Sequence, residues 1–306
     1  TSTGGGLTKT GVGTLLLSGN NSYTGATTVN AGTLLLGSSG ALANTALSVT
    51  TNTAGGAAVL DLNGFDATVA SLSLGGATGA TGTSVANILT GNKTLTLGPA
   101  GGLTFTATGN LAGSTISGNL DLGSTTHTFN LAHSAGATED VAVTAVISGI
   151  GGNVTKTGVG ILGLNAANTF TGGVTLTAGT IDAGTDSALG TGTLTLNAGT
   201  LVATGGARTI ANDISLLASS TLGGSNDFLF NGKLTNTLAG NPVLTVNNTA
   251  ATTFGDVDLS NSVTSRTVTI SGTGDTTIAG VIANGGGAST SGLTKTGAGT
   301  LTLTGN

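Results

Sequence analysis

One sequence segment, called here the phrase, occurs more than once in this chain, and it limits the possible folds more than any other feature. Residues 6–37 read GLTKTGVGTLLLSGNNSYTGATTVNAGTLLLG, and residues 153–184 read NVTKTGVGILGLNAANTFTGGVTLTAGTIDAG. The first part of the phrase returns at 292–306 as GLTKTGAGTLTLTGN. Repeats of this kind are typical of solenoid proteins, in which each structural unit stacks on the one before it.

The residues within and between the copies favour β-structure. Short runs of Thr, Val, Leu and Ile alternate with Gly, Asn, Ser and Asp, as in TLLL at 14–17, AVLDL at 58–62, LTFTAT at 103–108 and VAVTAVI at 141–147. The first group of residues suits strands, and the second tolerates turns. No sustained helical spacing of apolar residues occurs. The chain is therefore predicted to be all-β.

The spacing of the copies distinguishes a solenoid from a sandwich or a closed barrel. Lys9, Lys156 and Lys295 occupy the same place in the phrase, but the two separations between them differ by several residues. Loops of a solenoid absorb such differences, whereas the strand number, shear and tilt of a closed barrel are linked. We predict one continuous parallel β-solenoid, a right-handed β-helix, with about 20–25 residues per coil and roughly 12–15 coils. It comprises module 1 at 6–152, module 2 at 153–291 and the start of a third module at 292–306.

Composition excludes several functions. The chain has 306 residues, of which 6% are charged, with 7 Lys plus Arg, 12 Asp plus Glu and a net charge of −5. Its basic residues never cluster, so neither nucleic acid nor an anionic membrane surface is an expected partner. It contains 0 Cys, which excludes disulfides and thiolate metal sites. No apolar run is long enough to predict a transmembrane helix.

The repeated phrase resembles the passenger-associated strand repeat of bacterial autotransporters. The segments that carry the resemblance are VISGIGG at 146–152, LTKTGVGTLLLSGNNSYTG at 7–25 and LTKTGAGTLTLTGN at 293–306. The resemblance implies an exported surface protein with a β-helical passenger, and it implies no catalytic residues. Because the third copy breaks off at Asn306, we expect a fragment of a longer protein, or the same module used in another surface or filament protein.

Two groups of residues could in principle carry chemistry. One is a segment with both histidines of the chain and three acids: Asp121, His127, His133, Glu139 and Asp140. We interpret His127 as a surface-facing strand residue and His133 as a turn residue, and predict no site there. The other group is three pairs of aspartates, Asp61/Asp66, Asp182/Asp186 and Asp256/Asp258, which we interpret as turn residues. We predict no catalytic, cofactor-binding or metal-binding residue and no cofactor.

Two further patterns have mainly structural interpretations. The three equivalent lysines of the phrase are expected to cap or order a corner of each module. Thr-x-Thr pairs such as Thr104/Thr106 and Thr193/Thr195 resemble ice-binding arrays, but their irregular spacing in the sequence disfavours that function. Rows of Thr or Asn are instead expected to stack from coil to coil as ladders.

We predict a structural protein of the bacterial cell surface, either attached to the outer membrane or secreted. It would serve as a stalk, fibre or filament segment, and it would not be an enzyme. Its expected partners are other coils, through end-to-end self-association or through further repeats of a longer parent chain. An alternative is an adhesin whose segments 50–145 and 200–290 bind glycans or a host surface. A third hypothesis is a polysaccharide-active enzyme that uses the aspartate pairs.

Overall fold

The computed structural model describes residues 4–51, 56–76, 85–107, 112–285 and 290–305. The chain divides into two compact units, unit 1 (Thr1–Gly172) and unit 2 (Gly173–Asn306), each described by itself. Every regular element in the described ranges is a β-strand. These ranges contain no helix that is long and apolar enough to cross a bilayer. The single continuous solenoid and the module boundaries remain predictions.

Unit 1 contains sixteen strands in its described residues. They are β1 Leu7–Lys9, β2 Thr14–Leu17, β3 Thr27–Val29, β4 Gly32–Leu36, β5 Ala46–Thr51, β6 Ala58–Asp61, β7 Ala67–Val69, β8 Ser71–Gly76, β9 Ala86–Leu97, β10 Leu103–Thr106, β11 Ser114–Asp121, β12 Thr126–Leu131, β13 Val141–Val143, β14 Val146–Ser148, β15 Asn153–Thr157 and β16 Ile161–Leu164.

These strands form two parallel sheets that wind around one core. Sheet A has the order β1-β3-β5-β8-β10-β12-β15, and sheet B has the order β2-β4-β6-β9-β11-β13-β16, with β7 pairing with β9 and β14 with β11. Leu7 pairs with Thr27 and Thr27 with Leu47, so the first coils are 20 residues long. A later coil, from Leu72 to Leu103, takes 31 residues and exceeds the predicted range. Unit 1 is therefore a parallel β-solenoid whose loops absorb differences in coil length.

The core of unit 1 is made of apolar columns that run from coil to coil. In sheet B each residue of one column pairs with its neighbour on the next coil, and all are fully buried: Leu34, Leu60, Ile88, Ile116, Val143 and Leu164. Such a column forms because alternate side chains of every strand point inward and the register is kept. Each buried leucine or isoleucine contributes about 1.5–3 kcal/mol of transfer free energy.

The outer face of sheet A carries the polar ladder that the sequence predicts. One short polar side chain lies on each coil in register: Thr8, Thr28, Ser48, Ser73, Thr104, Asn130 and Thr157. Adjacent strands lie about 4.8 Å apart, so these side chains are near neighbours. Because the column mixes three residue types, it is not the regular array of threonine pairs that ice binding requires.

Unit 2 contains seventeen strands in its described residues. They are β17 Gly173–Leu176, β18 Thr180–Ala183, β19 Leu194–Leu196, β20 Thr200–Ala203, β21 Arg208–Ile210, β22 Ile214–Leu216, β23 Ser220–Gly224, β24 Phe228–Phe230, β25 Leu234–Asn236, β26 Val243–Val246, β27 Thr252–Phe254, β28 Val257–Asp258, β29 Thr267–Ser271, β30 Thr276–Ile278, β31 Ile282–Ala283, β32 Gly292–Lys295 and β33 Leu301–Leu303.

Unit 2 is a parallel β-solenoid with three faces. Within this unit the sheet orders are β17-β19-β22-β25-β28-β31, β18-β20-β23-β26-β29-β32 and β21-β24-β27-β30-β33. Val174 pairs with Leu194 and Leu194 with Ile214, so these coils are again 20 residues long. If each strand of the first sheet marks one coil, the described residues contain seven coils in unit 1 and six in unit 2. This number agrees with the roughly 12–15 coils predicted from the sequence. The right-handed twist of the coil remains a prediction.

An aromatic stack fills the third face of unit 2. Phe230 and Phe254 are register partners on adjacent coils, with ring centroids 4.9 Å apart and ring planes at 11°. Phe228, on the same strand as Phe230, stacks on it at 4.9 Å. All three side chains are buried. The chain has 7 Phe, and the three in this stack are among its largest fully buried side chains.

Candidate functional site: coil-to-coil brackets

The lysine of the repeated phrase ties one coil to the next. Lys9 is only 6% exposed, and its Nζ donates hydrogen bonds to the carbonyl oxygens of Thr10 at 3.0 Å and Gly11 at 2.6 Å. It donates a third to Ala31 at 2.9 Å, on the following coil. An ammonium group has three donors and no acceptor, so three carbonyl oxygens satisfy it. We call this arrangement the lysine bracket.

The second copy of the phrase repeats the two contacts of the bracket that lie within the turn, in a more buried setting. Lys156 is fully buried and donates to the carbonyl oxygens of Thr157 at 2.8 Å and Gly158 at 2.9 Å. Burial lowers the pKa of Lys156 to about 8, and the charge of Asp140 partly opposes that shift. In the third copy, Lys295 donates to the corresponding carbonyl oxygen of Gly297 at 3.2 Å. The prediction that these lysines order a corner is confirmed.

The turn that receives the Lys9 bracket depends on a glycine. Gly32 follows Ala31 and has φ +68°. A Cβ at this position would lie 2.3 Å from the carbonyl oxygen of Gly13 and 2.6 Å from that of Gly11. The glycine of NAG (30–32) is therefore needed, because the TGVG loop (10–13) of the preceding coil packs directly on the backbone of this turn.

Replacing Gly32 with alanine is expected to destabilise unit 1 by about 2 kcal/mol more than replacing Gly11 with alanine. Gly11 has nearly the same backbone angle, φ +73°, but no atom lies within 4 Å of its Cβ position, so Gly11→Ala carries the conformational strain without the collision. The measurement is urea unfolding followed by circular dichroism. Equal losses in the two variants would show that the close packing of the turn contributes nothing.

Aspartates form a second type of bracket, in which a carboxylate on one coil accepts a backbone N–H of the next. Asp66 Oδ1 accepts the N–H of Thr94 at 2.8 Å in unit 1. In unit 2 the same contact joins Asp186 to Thr209, Asp213 to Lys233, Asp227 to Ala251, Asp256 to Val281 and Asp275 to Thr300, at 2.7–3.0 Å. Charge-assisted bonds of this kind are stronger than neutral ones.

The predicted aspartate pairs do not form facing carboxylates. Asp61 accepts the N–H of Asn63 within its own turn at 2.8 Å, whereas Asp66 reaches the next coil. Asp258 accepts the N–H of Gly285 at 2.7 Å and lies 3.0 Å from Lys233 Nζ. Burial alone would raise the pKa of Asp258, but the Gly285 hydrogen bond, with Lys233 and Ser260, lowers it below its usual value. The turn interpretation holds for Asp66, Asp186 and Asp256, which lie between strands. It is wrong for Asp61, Asp182 and Asp258, which lie in β6, β18 and β28. It also missed the contacts that the aspartates make with the next coil.

The prediction that His127 faces the surface is wrong. His127 is fully buried, with Nδ1 2.7 Å from the carbonyl oxygen of Gly101 and Nε2 2.7 Å from that of Leu122. Its strand alternates, and Phe129 and Leu131 are buried on the same side. This two-residue period was the signal in the sequence that places His127 inward.

The acidic residues near His133 also bind backbone. His133 is a half-exposed turn residue, as expected, and its Nδ1 lies 3.0 Å from Asp140 Oδ2. The fully buried Asp140 also accepts the N–H groups of Ser134 at 2.6 Å and Ile161 at 2.7 Å, the second on the next coil. Among the described residues, no three His, Asp or Glu side chains converge on a possible metal position. Asp140 is thus a further bracket.

Glu139 lies over the next coil, where glycine makes room for it. Its carboxylate accepts a hydrogen bond from Asn165 Nδ2 at 2.8 Å. A Cβ on Gly163 would lie 2.1 Å from Glu139 Cδ. Burial raises the pKa of Glu139, and the Asn165 hydrogen bond opposes that shift. The Glu139 carboxylate therefore lies against the backbone at Gly163, and its hydrogen-bond partner, Asn165, is on the adjacent coil.

Comparison with known proteins yields one family and one curated relative. The family model described as passenger-associated-transport-repeat matches residues 7–36, 154–183 and 293–306, which are the three copies of the phrase. The chain is 33% identical over 310 residues to "Adhesin BmaC autotransporter" of Brucella suis biovar 1 (strain 1330). That alignment covers 97% of this chain and 7% of the relative, so the chain spans a small part of the relative's length. No solved structure matches the chain.

Proposed function

We propose that this chain, which carries the passenger-associated transport repeat of autotransporter passengers, is a structural stretch of such a passenger and not an enzyme. Its location is the bacterial cell surface or the extracellular space. In this proposal the coils add length and stiffness, and the activity of the whole protein lies in what the passenger displays.

The proposal rests on the hydrogen bonds that the carboxyl groups accept within the protein. Of the 12 Asp and Glu residues, eleven accept a hydrogen bond within the protein: Asp61, Asp66, Asp121, Glu139, Asp140, Asp186, Asp213, Asp227, Asp256, Asp258 and Asp275. Asp182 has a partner as well. Cleavage of a glycosidic bond needs two carboxyl groups facing one substrate, one of them with a raised pKa. Eight of the eleven instead accept a backbone N–H of the next coil, and these groups serve cohesion between coils.

We propose that the partners of the outermost strands are further coils. In unit 1, β1 and β2 lie at the ends of their sheets, and each pairs with a strand on one side. An open strand edge favours pairing with another strand. The relative is far longer than this chain, which supports further repeats of a longer parent as the partner, with end-to-end association of copies as the alternative. Sedimentation velocity distinguishes these, because only self-association depends on concentration.

A second candidate function is adhesion, because the curated relative is named as an adhesin. In that case the segments between the copies of the phrase, 50–145 and 200–290, would bind glycans or a host surface. The two functions differ in what is lost when coils are removed. A spacer loses length, and an adhesin loses binding.

The test removes one module in register from the full-length parent protein on its source cells. Deleting residues 7–153 joins Gly6 to Val154, so that the second copy of the phrase begins where the first did. We expect normal export and a passenger shorter by roughly 30–35 Å, at about 4.8 Å per coil, in cryo-electron tomography. The control deletes residues 7–143, which joins Gly6 to Thr144 and leaves ten extra residues, 144–153, ahead of the second copy. This junction is out of register and should lower the surface level of the protein.

Two results would contradict the spacer function. One is loss of export in the in-register deletion at the same level as in the control, which would mean that the repeats do not behave as interchangeable coils. The other is an unchanged passenger length. Normal length change with loss of adhesion to a host surface would instead support the adhesin function.

A further inference from the structure

Three adjoining cavities form a groove on one side of unit 1. The largest has a volume of 540 Å³ and is lined by the ends of β9, β11 and β14 and the turns that follow. Its neighbour, of 210 Å³, shares Gly123 and Ser124 with it, and a third, of 160 Å³, shares Gly98 and Pro99 with the second. We call this the corner groove. Its main cavity falls in the size range of ligand sites in proteins.

The polar side chains of the corner groove are hydroxyls, one carboxylate and one carboxamide, that of Asn44 in the second and third cavities. Thr94, Ser124 and Ser148 line the largest cavity together with Asp121. Asp121 Oδ1 accepts the N–H of Gly123 at 3.0 Å and lies 3.4 Å from Ser148 Oγ, so the backbone fixes the position of the carboxylate. Groups that are held before binding cost less entropy when a ligand arrives.

The charge of the lining selects against anionic ligands. Asp121 is the one charged residue that lines the three cavities, and no Lys or Arg lines them. Sulfated or uronic-acid polymers and nucleic acids would bring negative charge to the Asp121 carboxylate, with no cationic side chain in the lining to offset the repulsion. A carboxylate is a strong acceptor for neutral hydroxyl groups, so the lining suits an uncharged ligand rich in hydroxyls.

The groove also offers exposed apolar surface. Ile150 is 86% exposed and lies between Gly149 and Gly151 at one end. Pro99 is exposed in the second and third cavities, which lie beyond Ser124. Sugar rings present both hydroxyl groups and C–H faces, and a groove with both kinds of surface matches them.

We propose that the corner groove binds a neutral oligosaccharide, with Asp121 accepting hydrogen bonds from sugar hydroxyls and Ile150 packing against a ring face. This inference goes beyond the spacer function, which holds whether or not a sugar binds, and it gives the second candidate function, adhesion, a defined site and class of ligand. No aromatic residue lines the groove, so single-site binding is weak, with a dissociation constant of about 1 mM. Many passengers on one cell would raise the effective affinity through multivalency.

The test titrates the full 306-residue chain, labelled with ¹⁵N, with cellohexaose, maltohexaose or mannohexaose, and follows the amide signals by NMR. We expect at least one of these neutral sugars to shift amides of residues 121–124 and 148–150. Asp121→Asn keeps an oxygen for the Gly123 N–H but removes the charge, and should weaken binding about tenfold. Ile150→Ala should weaken it about fivefold.

Val159→Ala is the matched control, since Val159 is also an exposed residue between two glycines, at 72%, and does not line the groove. It should leave binding unchanged. A heparin-derived hexasaccharide should bind at least tenfold more weakly than the neutral sugar. The proposal is overturned if no neutral hexasaccharide shifts the groove amides, if Val159→Ala weakens binding as much as Ile150→Ala, or if the heparin fragment binds equally well.

Discussion

Replacing Phe230 with alanine is expected to lower the free energy of unfolding of unit 2 by about 3–5 kcal/mol. Phe230 is fully buried and stacks on Phe228 and Phe254, each at 4.9 Å. Truncation therefore removes its own burial and opens a cavity against two rings. In a solenoid each coil contacts only its neighbours, so the loss should be local to the coils around β24.

The measurement is hydrogen exchange by mass spectrometry, read separately for peptides within 208–303. Leu229→Ala is the control, because Leu229 lies next to Phe230 on the same strand but points outward and is 40% exposed. Its effect should stay below about 1 kcal/mol. Similar losses in the two variants would mean that the aromatic stack does not hold the third face together.

Replacing Lys156 with alanine should destabilise unit 1 by about 3–5 kcal/mol. The change leaves the carbonyl oxygens of Thr157 and Gly158 without their donor and leaves Asp140 without its nearby positive charge. Lys156→Met keeps most of the side-chain volume, so the difference between the two variants separates packing from hydrogen bonding. Lys295→Ala, at the same place in the phrase but half-exposed and hydrogen-bonded to Gly297, should cost about 1 kcal/mol or less.

The pH dependence of stability tests the same lysine. The pKa of Lys156 is about 8 in the folded chain, whereas the ordinary pKa of a lysine, which applies to the unfolded chain, is 10.5. Between these two pH values the unfolded chain therefore holds a proton that the folded chain has released. Stability contributed by this group therefore rises as pH increases from about 8 to 10.5, and is lost as pH falls through 8. Urea unfolding at pH 7, 9 and 10.5 should show this rise in the wild type relative to Lys156→Met. Parallel profiles would contradict it.

Much of the fold was predictable because a solenoid depends on local pattern. Alternating residues around Leu34, Leu60 and Val143 are enough to predict strands with one inward face, and the repeated phrase is enough to predict stacking. The aligned column of short polar residues on sheet A follows from the same register. The equivalent lysines could be assigned to a corner because all three copies place them next to a Thr-Gly turn.

Other features could not be obtained from spacing alone. His127 was assigned to the wrong face because neighbouring threonines are common on outer faces, although Phe129 and Leu131 set the opposite register. Each aspartate bracket joins residues some 20–28 positions apart, such as Asp66 and Thr94, and the length of the intervening loop decides which N–H arrives at the carboxylate. The largest cavity of the corner groove likewise combines residues from three coils.

The sequence by itself determined that this chain coils, because strand alternation and a recurring phrase act within a few residues and repeat. It also predicts that nucleic acid and anionic membrane surfaces are not partners, since charge is a property of composition. Only the tertiary structure decided which carbonyls surround Lys9, where Asp121 points and that His127 is buried. Those outcomes depend on how loops of unequal length bring consecutive coils into register, and a one-residue shift exchanges the inner and outer faces of a strand.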